Sequence, residues 1–383
     1  MTRADDLARR PEEEWAPPSL ILTGQPEHGV STYARHLAES VRASYPATEL
    51  WDARAAGALP VSSAVPAVAQ VASPFRPAGE GAEWVHLHFT DRLWGSDAAS
   101  AASAVEAVAA HHRVTVTLHD VPQPSDRQHL PRRAEAYRRV VRAASGVVCN
   151  SRHEAELLRR FTDEDATPVV IPLPVAAAHP FAVPELLEPA VAILGFYYPG
   201  KGHDRAIAAV AALLHEEQLH EDQLREHAAT SATDRALRPK VMALGRASAG
   251  HERDLETLTE RARRRGVLFE ATGYLSDPEL LRRSRQVAVP VIAHDHVSAS
   301  GSLASWITAG RRPIAVRSRY MEEMAALRPG TIELVEGDDL PAAIAHALRN
   351  PRSTWLTGHE SLHPTHRDTV DLYCTFWAET MHA

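Results

Sequence analysis

Residues 287–313, VAVPVIAHDHVSASGSLASWITAGRRP, carry the arrangement with the clearest chemical use. An apolar strand runs into a polar loop, Ser300-Gly301-Ser302 opens a helix, and Gly310 closes it. Small residues at a strand-to-helix turn let backbone N–H groups approach an anion, and the helix N-terminus adds about half a positive charge. The same residues also fit an ordinary helix capped by a serine. Lys201 is the second candidate. Of the 41 basic residues only Lys201 and Lys240 are lysines. In a chain that uses Arg so freely, a lysine that persists is a candidate for a place where a compact point charge is needed and a planar fork is not, with chance survival as the alternative. Histidines form the third group. Period-two alternation puts His86 and His88 on one face of the strand Trp84–Phe89, and the strand Val114–Leu118 ends in His119-Asp120. Open α/β sheets bind ligands at the carboxyl ends of their strands. A histidine satisfied by a neighbouring carbonyl is the plainer account of each.

These residues need elements to hold them, and the chain alternates strands and helices throughout. A short strand, Ser19–Thr23, leads through a loop bearing Gly24 and Gly29 into a helix for which Ser31 is the expected N-cap. Helices are expected near 97–111, 132–144 and from Asn150-Ser151 to Arg160, with strands at 84–89, 114–118, 146–149 and 169–171. Residues 60–77 show no usable periodicity. Pro and Ala crowd residues 172–189, which marks a linker by composition. The alternation then restarts. A strand at 191–194 enters the loop Gly195–Gly202, a helix follows from His203 to about His215, and a strand from Lys240 ends in Gly245-Arg246. Further on, Ser276 or Asp277 caps a helix with Pro278 in its first turn. The last helix covers roughly 365–381.

Two βα-repeating halves around a Pro-rich linker predict an α/β protein of two Rossmann-like domains facing each other across a cleft. The expected boundaries are a flexible extension at 1–18, an acceptor domain at 19–174, a linker at 175–189 and a donor domain at 190–364. The helix of 365–383 could pack back on the first domain. At 383 residues the chain is long enough for two cores, and a net charge of -8 with no basic tract argues against nucleic acid as a partner. Two cysteines cannot build a disulfide framework, acidic residues stand among the first 15 positions where a signal peptide would need an apolar core, and no apolar run reaches a membrane span, so a cytoplasmic protein is expected. Arg138, Arg139 and Arg142 on one helix leave peripheral membrane contact open, although a solvated helix face explains them more simply.

The order of Gly195…Pro199-Gly200-Lys201-Gly202, Gly245, Thr272-Gly273-Tyr274-Leu275, Ser300-Gly301-Ser302 and Ala309-Gly310 resembles the donor half of GT-B glycosyltransferases. The retaining enzymes of glycosyltransferase family 4 are the nearest pattern. Gly29-Val30-Ser31, His86-Leu87-His88, Thr117–Asp120 and Val148–Ser151 fit the other half, so the resemblance spans about 19–347. It implies metal-independent hexosyl transfer from a nucleotide diphosphate sugar with retention of configuration. The nucleotide-sugar would be a substrate, and no cofactor is implied. The acceptor would be a carbohydrate, a lipid-linked molecule or a small molecule. Lys201 would contact the diphosphate, the Ser300, Gly301, Ser302 and Leu303 backbone would hold the distal phosphate, and His119 would lie near the transferred sugar. Gly29 would let the first loop approach the phosphates, while Phe196, Gly245, Arg246, Tyr274 and Leu275 would flank the nucleotide.

This chain departs from that family at two points. Phe196 stands where an Arg usually precedes the Lys, and Val297 and Ser305 occupy the positions of two glutamates spaced Glu-x7-Glu. Asp295 could supply a carboxylate to the sugar and Ser305 a hydrogen bond to the ribose; Arg246, Arg311 or Arg312 could replace the missing cation. The departures motivate an alternative, a catalytically silent GT-B protein that binds a glycan or a partner enzyme. A sugar-nucleotide epimerase would need an acid–base carboxylate set, and none stands out.

Overall fold

A computed structural model describes residues 15–25, 28–52, 83–176, 183–227 and 239–383. The stretch at 60–77, the first 14 residues and linker positions 177–182 lie outside these. Two compact units are formed. One comprises 1–172 and 366–383, the other 173–365.

In the first unit six parallel strands stand in the order β2-β1-β3-β4-β5-β6. They are β1 Ser19–Leu22, β2 Leu50–Asp52, β3 Trp84–Phe89, β4 Arg113–Leu118, β5 Gly146–Cys149 and β6 Val169–Val170. Alternation splits the two central strands into unlike faces. Val85, Leu87 and Phe89 with Val114, Val116 and Leu118 build one apolar core against the helices Ala98–Ala109 and Leu130–Ala143. The opposite face carries His86 and His88 beside Thr115 and Thr117, all buried. Buried polar groups without partners cost stability. The face is closed by Tyr373 and Trp377 of the last helix, His366–His382, and by Tyr33 of the helix Gly29–Ser44. That helix begins earlier than its sequence suggests: His28 is the N-cap and accepts from Val30 N–H. Ser31 lies inside the helix and donates its hydroxyl to Thr23 O at 2.8 Å.

The second unit has the parallel order β12-β11-β10-β7-β8-β9. Its strands are β7 Glu188–Leu194, β8 Lys240–Leu244, β9 Phe269–Ala271, β10 Val287–Ile292, β11 Ile314–Val316 and β12 Glu333–Val335. Both faces are apolar, with Val191 and Ile193 in one core and Ala190, Ala192 and Leu194 in the other. The near-continuous hydrophobic runs of β7 and β10 follow from this two-sided burial. The helix from His203 extends to His227, beyond its expected end.

Arg311 does not serve as a spare cation for a ligand. It is fully buried, donates to the carbonyls of Ser284, Val287, Ala288 and Thr354 and to Thr354 Oγ1 at 2.7–3.2 Å, and stacks on Trp355. Ser284 lies in the last turn of the helix Asp277–Gln286, where a cation also complements the helix dipole. Arg311→Leu is expected to destabilise the protein by about 3 kcal/mol or more, because its acceptors would be left buried and unpaired. Urea denaturation measures this, and a loss below about 1 kcal/mol would contradict the assignment.

Candidate functional site

Strand order locates a crevice in each sheet. In the second unit β8 and β9 extend the sheet on one side of β7, and β10 starts the other side. The order therefore reverses between β7 and β10, and the loops leaving their carboxyl ends splay apart there. Those loops are Gly195–Gly202, with Lys201, and 293–300, with Asp295 and the Ser300 turn. Close packing joins them. A Cβ on Gly202 would lie 2.3 Å from Ala293 O, Gly202 has φ +100°, and Asp295 N–H donates to Gly200 O at 2.9 Å.

Lys201 is buried, its ammonium lying against Gly195 and over the Tyr198 ring at 5.5 Å. Among the described residues no carboxylate pairs with it, and burial lowers its pKa to about 8. His203 and His294 are buried nearby. Burial first, and then the Lys201 charge, drives His203 down to about 3 and His294 well below the usual imidazole value. Among the described residues, both ring nitrogens of His203 and Nδ1 of His294 are sealed without a hydrogen-bond partner. No carboxylate among the described residues is paired with any of these three basic groups.

At the helix Gly301–Thr308, Ser300 is the N-cap, its Oγ accepting from Leu303 N–H at 3.2 Å, and Ser300 N–H donates to Tyr320 Oη at 3.0 Å. Two of the four backbone donors expected for a phosphate are thus already engaged. Gly301 and Ser302 N–H groups have no acceptor among the described residues, and a Cβ on Gly301 would meet nothing within 4 Å. Ser305 Oγ donates back to Gly301 O at 3.0 Å. Asp295 is held by Arg205, Nη2 to Oδ1 at 3.0 Å, with both side chains partly exposed. Arg205 escaped the sequence reading, although it stands one helical turn after Lys201.

The remaining expected nucleotide contacts gather in part. Tyr197 N–H donates to Arg246 O, Arg246 stacks over the Phe196 ring at 5.2 Å, and a Cβ on Gly245 would lie 2.4 Å from Gly195 O. Gly245 N–H donates to Thr272 Oγ1 at 3.0 Å, and that hydroxyl donates to Gly273 O. Tyr274 is exposed, Leu275 packs partly into the core, and Arg312 N–H is used by Thr354 O.

In the first unit the order reverses between β1 and β3. Gly29 is the first residue of its helix, and a Cβ there would meet nothing within 4 Å. His119 is buried, and both of its ring nitrogens face protein: Nε2 lies 3.1 Å from His88 Nδ1 and Nδ1 lies 3.3 Å from Asn150 Nδ2. His86 is bracketed by Thr115 Oγ1 at 2.9 Å and Thr117 Oγ1 at 3.1 Å. Thr117 bonds Tyr373 Oη at 2.8 Å, and Tyr33 Oη donates to Tyr373 Oη at 3.2 Å. Arg138, Arg139 and Arg142 each pair within the unit, with Glu135, Glu106 and Asp163 respectively.

Burial keeps His86, His88, His119, His203 and His294 neutral in the fold, His86 with its pKa driven down to about 3. Unfolded imidazoles titrate near pH 6.5, so below that pH the unfolded chain binds more protons than the native one. Stability is therefore complete above pH 6.5 and is lost as pH falls toward 3, by up to about 1.4 kcal/mol per pH unit for each imidazole. Urea midpoints at pH 7 and pH 5 test this; equal midpoints would refute it. Gly202→Ala is expected to cost about 2 kcal/mol or more from its positive φ alone, with the Ala293 O clash in addition. Thermal unfolding reads that loss, and an unchanged midpoint would show that the two loops can separate freely.

No family model matches the sequence, and no curated protein matches it. Solved structures do. HepE from Anabaena, in complex with UDP and glucose, superposes with a TM-score of 0.63 over 96% of this chain and 99% of its own, at 14% identity. Sucrose-phosphate synthase from Thermosynechococcus elongatus gives 0.63 over 96% and 97%, also at 14% identity. OtsA in its apo form gives 0.55 over 83% and 76% at 13% identity. At these identities the likeness is one of fold: the chain has the two-sheet α/β fold of GT-B glycosyltransferases.

Proposed function

We propose that the protein is a retaining glycosyltransferase that takes a hexosyl group from a nucleotide diphosphate sugar without a metal ion. The observation that carries this reading is the β7/β10 crevice. There a buried lysine with no carboxylate partner among the described residues sits on one wall, and a helix N-terminus with two unengaged N–H groups follows the other. A diphosphate supplies the charge this arrangement lacks. Lys201 would neutralise one phosphate, and Gly301 and Ser302 N–H would receive charge that grows on the leaving group. Donors fixed in place before reaction are the kind of stabilisation that lowers a barrier most. Fold likeness to a protein crystallised with UDP and glucose supports the donor class. The acceptor would be a carbohydrate, a lipid-linked molecule or a small molecule. Cys149 and Cys374, both free thiols, fit the reducing cytoplasm as the location.

One observation favours the alternative of a catalytically silent binding protein. Neither Val297 nor Ser305 offers a carboxylate, and the nearest one, on Asp295, is engaged by Arg205. Calorimetry with UDP, GDP and ADP, followed by turnover of the corresponding sugar nucleotide, separates the readings. Binding with slow hydrolysis or transfer supports the enzyme, and binding without any turnover supports the silent protein. Failure of all three diphosphates to bind would refute a donor site.

Lys201→Ala is expected to weaken diphosphate binding at least tenfold at pH 7. The ammonium is charged below its pKa of about 8 and loses its proton above it. Affinity of the wild type should therefore fall as pH rises from 7 to 9.5, and this fall should vanish in Lys201→Ala. Parallel pH profiles for the two proteins would remove Lys201 from the site.

A further inference from the structure

β9 is an outer strand of the second sheet, and its register shows which of its backbone groups are already used. Val241 stands opposite Phe269, and Ala243 opposite Ala271, in a parallel ladder. Val241 N–H donates to Leu268 O at 2.9 Å, and Thr272 N–H donates to Ala243 O at 3.0 Å. Pairing with β8 therefore uses the backbone groups of Leu268, Glu270 and Thr272, while the N–H and C=O of Phe269 and Ala271 point away from the sheet. Sheet edges are ordinarily blunted by lysine, proline, a bulge or a covering element. Phe269-Glu270-Ala271 contains neither lysine nor proline, its register with β8 has no bulge, and Glu270 and Ala271 are exposed.

A groove of about 450 Å³ lies beside this edge, lined by Glu270, Ala271, Thr272, Leu275, Arg282 and Arg283. Its walls are the strand and the middle of the helix Asp277–Gln286, and β8 separates it from β7, so it stands apart from the β7/β10 crevice. Most of its charges are matched. Lys240 pairs with Glu188 at 2.8 Å and with Glu270, and Arg283 pairs with Glu188 at 3.3 Å. Arg282 is left over: it is exposed, donates to Gln286 Oε1 at 3.1 Å, and forms no ion pair among the described residues. Leu268, 60% exposed, adds an apolar side chain on the same face of the strand as Glu270.

We infer that the outer edge of β9 is a docking site for an extended acidic segment of a partner protein, which adds a strand to the sheet and sets a carboxylate on Arg282. The outward N–H and C=O groups of Phe269 and Ala271 supply the pairing, and alternate side chains of the segment enter the groove. The unmatched guanidinium selects their sign. A second copy of this chain fits less well, because antiparallel pairing centred on β9 would set Glu270 directly opposite the Glu270 of that copy. With a strand of 3 residues to pair against, the contact is small and transient.

The test uses the full-length protein labelled with deuterium and nitrogen-15, and two short capped peptides, one alternating threonine with glutamate and the other threonine with lysine. The glutamate peptide should shift the amide signals of Phe269 and Ala271, which point outward, more than that of Glu270, which is bonded to β8. The lysine peptide should not bind. Arg282→Ala should weaken the glutamate peptide at least about tenfold, with an unchanged thermal midpoint because the side chain is exposed. N-methylation of one alternate set of peptide amides should abolish binding and of the other set should leave it, a difference that charge attraction alone cannot produce. Equal binding of both peptides, indifference to either methylated set, or unmoved Phe269 and Ala271 signals would overturn the inference. Attachment to phosphatidylserine vesicles without peptide binding would overturn it in favour of a lipid surface. A dimer in sedimentation that perturbs the same two amides would overturn it in favour of a second copy.

Discussion

Burial of cations without acidic partners is the constraint on which the second unit turns. A buried charge must be neutralised, hydrogen-bonded or lose its proton. Arg311 and Arg328 take the second course, each spending its guanidinium on backbone carbonyls and so serving as cross-links between segments far apart in sequence. Burial lowers the pKa of all three, Arg311 to about 9 and Lys201 to about 8, but among the described residues no carbonyl or carboxylate is hydrogen-bonded to the Lys201 ammonium. Hydrogen-bond partners, and not burial alone, thus separate the two arginines that hold the fold from Lys201. His203 and His294 lie buried and neutral beside it and do not compensate the charge.

The first unit solves a different problem with neutral groups. Its two central strands bury a face of imidazoles and hydroxyls, and every hydroxyl can both give and receive. Tyr33, Tyr373, Thr117, His86 and Thr115 can therefore be ordered head to tail, ending at Val85 O. A chain of this kind is worth more fully satisfied than in parts. It also gives the last helix a reason to return to the first sheet, where Tyr373 and Trp377 pack on His86 and complete the cover that Tyr33 begins.

Much of the fold was legible in the residues, because strand-to-helix turns and two periodicities report local geometry. The two parallel α/β sheets follow from the repeated alternation, and Ser300 acts as the N-cap that its type and position suggest. What was not legible depends on distance. Nothing near Thr117 announces a partner 256 residues away, and nothing near Arg311 announces that it ends among backbone carbonyls. Asp295 looks like a free carboxylate in sequence because its partner, Arg205, belongs to another loop–helix junction. His28 displaced Ser31 as a cap because an imidazole nitrogen can accept a backbone N–H as a hydroxyl can. His119 attracts attention by its place at a strand end. That place also brings it within reach of Asn150 and His88, which occupy both its nitrogens.

The division of the chain has a consequence for its synthesis. Residues 173–365 form one unit, while 366–383 complete the other. Arg328 draws the two junctions together, bonding Leu173 O and Pro364 O. A ribosome making this protein therefore releases the whole second unit before the first can be finished. Until the final residues emerge, the imidazole and hydroxyl face of β3 and β4 has no Tyr373 and no Trp377 over it. The unit begun first is completed last, and the newborn chain carries an open, polar-lined sheet face through most of its translation.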